Sequence, residues 1–419
     1  MNPHTEGPEP WTPAANKRAA KRLLWLLSAG SLISIGILWR AKENHKAADN
    51  ETRPDRTNSS VTATSQAISA SSPATEATSP KQTGLDLTRL TEELRRAGSS
   101  TDTKTVLLRL RALLRSLPPS AASEAIQDFL SKGTDARTRQ GFVIGAGGQL
   151  LEAPTLRTFL LNELESIDPA AAASAGRGLL SRLESPDEWA LALRSVARFD
   201  TSAPTRSFLE ERMHALLSHV PWQQQPQTSY LEAFDVAVHL GGESLLPDLT
   251  RLIRMTNNAA VSHAAFLAMD RMIQSDAAPM LKALLSDPEA MRDRESTRAS
   301  FFARADLTNL EQRRLIESYL LHPAVTPSEL EAFADVFPNE NTMLSQNLLT
   351  QVRTHSGAEI HARDLRTLKI IQAWRQEPRF QHLQPLLQSI QNRLESFMPD
   401  AAARSPRRSG REAQAGTRP

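Results

Sequence analysis

The sequence predicts an all-α protein, a helical-hairpin solenoid of about 16–18 helices following one N-terminal transmembrane helix and a disordered linker. Three observations carry this expectation. Residues 23–39 form an apolar run without charge, residues 40–84 are too polar to bury a core, and beyond residue 85 prolines and capping residues recur in front of apolar stripes at helical spacing.

Residues 1–22 hold Pro3, Pro8, Pro10 and Pro13 and no apolar pattern, so they are expected to be a disordered tail. The run that follows, LLWLLSAGSLISIGILW, is seventeen residues long and flanked by Lys17, Arg18, Lys21 and Arg22 before it and Arg40 and Lys42 after. As a helix it reaches roughly 25 Å, a little short of a ~30 Å hydrocarbon core. Snorkelling Lys21, Arg22 and Arg40, with Trp25 and Trp39 near the interfaces, makes up the difference. A cleaved secretory signal needs a small-x-small site after its apolar region, and none stands between Trp39 and Asn50. The run therefore reads as a retained signal anchor. The tight basic cluster in front of it places the N-terminus in the cytoplasm and the bulk of the chain across the membrane, which is the periplasm in a bacterium.

Residues 57–80 contain twelve Ser/Thr in twenty-four positions, and 40–84 as a whole read as a flexible tether. The chain has 49 basic and 47 acidic side chains, and the basic excess sits at its ends. Residues 85–400 carry 34 basic against 39 acidic groups, while 401–419, with Arg404, Arg407, Arg408 and Arg411, form a basic disordered tail. A duplex-binding domain needs a basic face that releases counterions from phosphate, so nucleic acid is not an expected partner. The absence of cysteine excludes disulfides, thiol nucleophiles and thiolate metal sites.

From 85 to 400 the pattern is helical. Val106, Leu107, Leu110, Leu113, Leu114 and Leu117 share one face of 102–117, and Leu387, Ile390, Leu394 and Phe397 form a stripe near the end. Starts are marked by a cap residue followed by proline, as in Asp168-Pro169, Ser185-Pro186, Asp287-Pro288 and Thr326-Pro327, and Thr308 to Glu311 has capping-box spacing. Pro154, Pro169, Pro186, Pro204 and Pro221 lie 15, 17, 18 and 17 residues apart, so two helices with their turns take about 34 residues. The run Pro221–Pro226 breaks this rhythm, and LEAFDV at 231–236 echoes LEAFADV at 330–336. Gly141, Gly145 and Gly148 fall on one face if this stretch is helical, which suits close helix packing. Gln149 and Leu150 stand where a phosphate loop places Lys and Ser/Thr.

Through these Pro-led helix pairs, the region from about 150 to 400 resembles the HEAT-like class of α-solenoids. The resemblance implies a surface for holding a partner protein and names none. A second stretch, Glu165-Ser166 with Ser174 nine residues after the glutamate and Gly176-x-Gly178-Leu179 beyond, looks like the opening of lytic transglycosylases. That resemblance implies Glu165 as a general acid/base on a cell-wall glycan. The departures are that no Met-Gln follows and that the proline is out of register; the residues themselves read as one helix ending at Ile167 and another opening at Asp168-Pro169. HExxH, Gly-x-Ser-x-Gly, Ser-x-x-Lys and Walker patterns are absent, and the pairs His214/His219 and His355/His361 lack ligand spacing. The expected function is a membrane-anchored scaffold or adaptor, not an enzyme, with no catalytic, cofactor or metal residue assigned.

Overall fold

The computed structural model describes residues 80–342, 346–352 and 354–398. The expected anchor at 23–39, the linker up to residue 79 and the basic tail from 401 lie outside the described residues. What is described is mostly helical. In chain order the helices are α1 (Pro80–Arg96), α2 (Ser100–Ser116), α3 (Pro119–Ser131), α4 (Leu156–Ile167), α5 (Pro169–Leu179), α6 (Pro186–Phe199), α7 (Ala203–Ser218), α8 (Val220–Gln224) and α9 (Thr228–Glu232). They continue as α10 (Asp235–Leu240), α11 (Leu246–Ile253), α12 (Ala259–Ser275), α13 (Ala277–Ser286), α14 (Glu295–Phe302), α15 (Leu310–Leu320), α16 (Pro327–Val336), α17 (Gly357–Trp374) and α18 (Gln384–Ser396). Between α3 and α4 stands a small antiparallel hairpin, β1 (Val143–Ile144) with β2 (Leu150–Glu152).

Packing follows sequence order: α5 lies on α6 and α4 on α6, α10 and α11 lie on α12, and α14 and α18 both lie on α16. Most helices thus bury their apolar stripe against the next helix or the next but one, while α9 also reaches α6 and α12, and α10 and α11 reach α7. The start signals act as the sequence implies. Asp168 receives the Ala171 amide at 3.0 Å with Pro169 at the first helical position, and Ser185 and Thr326 cap α6 and α16 in the same way. In α5 the small residues Ala172, Ala173 and Gly176 let α6 approach closely; a Cβ on Gly176 would sit 3.1 Å from the Ala192 carbonyl oxygen. Where the 17-residue rhythm stops, α8 to α10 are short, and a chain of ring contacts from Trp189 through Trp222 and Tyr230 to Phe234 fills the space at centroid separations of 5.7, 6.1 and 5.3 Å.

Several expectations are corrected. The first helix begins at Pro80, inside the expected 40–84 linker, because the stripe of Leu87, Leu90 and Leu94 propagates its helix upstream. Gly141, Gly145 and Gly148 do not share a helical face: they belong to the hairpin, whose turn puts Gly147 and Gly148 at φ +81° and +79°. That left-handed backbone suits glycine and ends any helix. Asp287-Pro288 opens only a 3-10 turn, Pro288–Met291. The cap of α15 is Asn309, which takes the Glu311 and Gln312 amides, while Thr308 bonds Asp306 instead. Leu387, Ile390 and Leu394 are buried as expected, but Phe397 is exposed at the helix end. The two LEAF segments differ: 330–336 lies within α16, whereas 231–236 spans the α9–α10 break.

Candidate functional site

The segment after α16 has no helical periodicity between Phe337 and Ser356, and its described parts lie across side chains from four earlier elements. It begins against α14. Asn339 donates its amide to the Ala303 carbonyl at 2.8 Å, and Arg304 donates Nη1 to the Asn339 carbonyl at 2.8 Å. Arg304 is itself held by Asp270 of α12 through two bonds of 2.7 Å, a bidentate geometry that fixes the guanidinium plane.

Farther along, Asp235 at the start of α10 is buried, with 5% of its side chain exposed, and it clasps the segment. Its Oδ2 accepts the amides of both Leu349 and Thr350 at 2.7 Å, and its Oδ1 accepts the Thr350 hydroxyl at 2.5 Å. Arg271 of α12 donates Nη1 to Asp235 Oδ1 at 2.8 Å and Nη2 to Thr350 Oγ1. A buried carboxylate costs several kcal/mol in desolvation unless it is fully partnered, and here four donors meet it. Glu232, at the end of α9, has no such set. Burial first, and then the nearby charge of Asp235, push its carboxyl up to about 7 against the pull of Arg271.

The third contact is at α6. Arg198 donates Nη2 to the Leu348 carbonyl at 3.2 Å and to the Gly147 carbonyl at 2.6 Å. Leu348 is fully buried, and its backbone presses on Gly148 so closely that a Cβ there would fall inside contact distance of the Leu348 oxygen and 2.8 Å from its carbon. Behind this contact Arg194, 1% exposed, donates to Glu165 Oε2 at 2.9 Å, Asn162 Oδ1 at 3.0 Å and the Gly148 carbonyl at 2.5 Å. Alternate helices are thus tied by Arg–carboxylate pairs, and Arg198, Asp235 and Arg304 of these pairs meet the main chain of the segment.

Glu165, the residue picked out by the glycan-enzyme resemblance, lies inside this network. Burial alone would raise its carboxyl, but the charge of Arg194, the Ser195 hydroxyl at 2.5 Å and Arg198 at 2.7 Å together hold it below the usual carboxylate range. It carries no proton near neutrality, whereas a general acid needs a raised pKa. His214 pairs with Asp248 at 2.7 Å, and among the described residues no group of His, Asp and Glu has the makings of a metal site. A groove of about 280 Å³ beside the hairpin is bordered by Leu107, Leu108 and Phe159, and its Lys104 and Arg111 are paired with Glu152 and Glu163. No helix among the described residues is long and apolar enough to cross a membrane.

Asp235, Arg271, Arg198 and Thr350 were not singled out in the sequence. The one available signal is spacing: Asp235 and Arg271 are 36 residues apart and Asp270 and Arg304 are 34 apart, which is the helix-pair period. No protein-family model matches the chain, and no curated protein or solved structure is detectably similar to it.

Proposed function

We propose that this chain is a membrane-tethered helical-repeat scaffold that binds another protein. The helices form a solenoid of stacked pairs, each burying apolar surface on its neighbours and turning one row of side chains toward extended chain. The observation that carries the reading is the row of Arg198, Asp235 and Arg304, which bond the backbone of a non-helical segment, with Arg271 on Asp235 and on the Thr350 hydroxyl. Such a row suits extended polypeptide more than a small substrate, because most of its donors and acceptors meet successive main-chain groups.

In this reading residues 23–39 anchor the chain, residues 40–79 give it reach, and the helical part lies on the extracytoplasmic side. Nucleic acid, metal and small-molecule cofactor have no part in it, and the glycan-cleaving alternative through Glu165 lacks a protonated acid.

Two measurements test the proposal. A photo-crosslinking residue scanned over exposed positions of the full chain in its native membrane should capture one protein from a contiguous set of positions; capture at none of them refutes the reading. Incubation of the full chain with peptidoglycan should release no soluble fragments. Release that disappears in Glu165→Gln would establish the enzyme instead.

A further inference from the structure

Residues 346–350 are seated the way a bound peptide would be. They are non-helical, and their partners lie 79 to 150 residues away in the chain. Most of what holds them is directed at atoms common to every polypeptide: two consecutive amides on Asp235 and one carbonyl on Arg198. Side chains add selectivity: Leu349 is partly buried and packs against the core. Leu348 is fully buried, and the Thr350 hydroxyl is shared between Asp235 and Arg271, whereas Gln346 and Gln351 on either side are exposed.

We infer that this clasp is a peptide-binding site occupied in cis, and that its partner in trans is an extended protein segment presenting a large aliphatic residue followed two positions later by Ser or Thr. The aliphatic side chain takes the Leu348 position beside Gly148. The hydroxyl takes the Thr350 position between the Asp235 carboxylate and the Arg271 guanidinium. The intervening residue, at the Leu349 position, is held by its amide and favours an apolar side chain that packs partly on the core. Arg271 offers a charged donor to the hydroxyl and Asp235 an acceptor, so a hydroxyl that both donates and accepts fits, while valine, of similar shape, deprives Arg271 Nη2 of its acceptor and Asp235 Oδ1 of one donor. The chain's own segment competes at high effective concentration, so the wild-type site is closed to weak ligands. This inference rests on the scaffold reading and narrows it to one site and one ligand chemistry.

The test uses the full chain in detergent and a fluorescein-labelled heptapeptide with the sequence of residues 346–352. The double variant Leu348→Gly, Thr350→Gly loosens the cis segment without altering the clasp. It should bind the peptide at least tenfold more tightly than wild type by fluorescence anisotropy. Adding Asp235→Asn, or replacing the peptide's threonine with valine, should remove that gain. A thermally intact double variant with no gain overturns the inference, and so does one that becomes a dimer by light scattering, since a second copy is then the occupant.

Hydrogen exchange of wild type covers the case in which the double variant fails to fold. The amides of Leu349 and Thr350 should exchange at least a hundredfold faster than the slowest amides of α12; equal rates mean a fixed structural element and overturn the inference. Failure of the peptide experiment alongside successful crosslinking on the membrane removes this site and leaves the scaffold standing.

Discussion

Replacing Glu232 with glutamine should make the protein more stable, and more so as pH rises. In the fold the Glu232 carboxyl is pushed up to about 7 from an ordinary 4.5, chiefly by burial and then by Asp235. Between those two values the folded chain holds a proton that the unfolded chain has released. Stability therefore falls as pH climbs through this window, and the whole cost is present above it. Two and a half units at 1.36 kcal/mol each set a ceiling of about 3 kcal/mol, and contact with solvent at the partly exposed side chain brings the expected effect to about 1–2 kcal/mol. Glutamine has the same shape and no charge to desolvate. Urea unfolding of the full chain in detergent, followed by circular dichroism at pH 5 and pH 8, gives the comparison. The variant should match wild type at pH 5 to within about 0.5 kcal/mol and exceed it by about 1–2 kcal/mol at pH 8. Parallel curves for the two proteins would refute the assignment of a proton to Glu232, and with it the account of how the α9–α10 corner is charged.

Gly148→Ala places a side chain at φ +79° against the Leu348 backbone, so it should cost about 1–3 kcal/mol and speed amide exchange at Leu349 and Thr350. Glu329→Ala leaves Arg298, 2% exposed, without its carboxylate and Tyr319 without its acceptor; a loss of about 3–5 kcal/mol is expected, read as a lowered melting temperature. Glu165→Gln strips Arg194 of its charged acceptor and should destabilise by about 2–4 kcal/mol in the same melt, whereas a dispensable catalytic acid would leave the melt unchanged.

Much of the helical framework was legible because it rests on local chemistry. Asp168-Pro169, Ser185-Pro186 and Thr326-Pro327 each combine a side-chain cap with a proline that needs no amide partner, and each opens a helix. Asp287-Pro288 carries the same signal but leads only into a 3-10 turn, because the residues after it do not sustain an apolar stripe. The glycines at 141–148 fit a helical face on spacing alone, whereas Gly147 and Gly148 turn a hairpin at positive φ; the close contact of Gly148 with a carbonyl 200 residues later, at Leu348, is one no local pattern reports. The clasp was hidden for a related reason. Asp235 and Arg271 look like ordinary surface charges until the period of about 34 residues is applied to the charged positions as well as to the prolines. Then the pairing of each acid with an arginine one helix pair later becomes visible.

The chemistry of those pairs bears on why the segment is held by charge and not by a larger apolar contact. A leucine-lined seat would hold one sequence through shape. A carboxylate that takes two amides holds any backbone, and leaves the choice of sequence to the apolar seats of Leu348 and Leu349 and to the Thr350 hydroxyl. Arg271 serves Asp235 and Thr350 together, and Glu232 lies within reach of its field. Ionising Glu232 leaves a charge buried and places a second negative charge near Asp235, and that is the cost the Glu232→Gln variant removes.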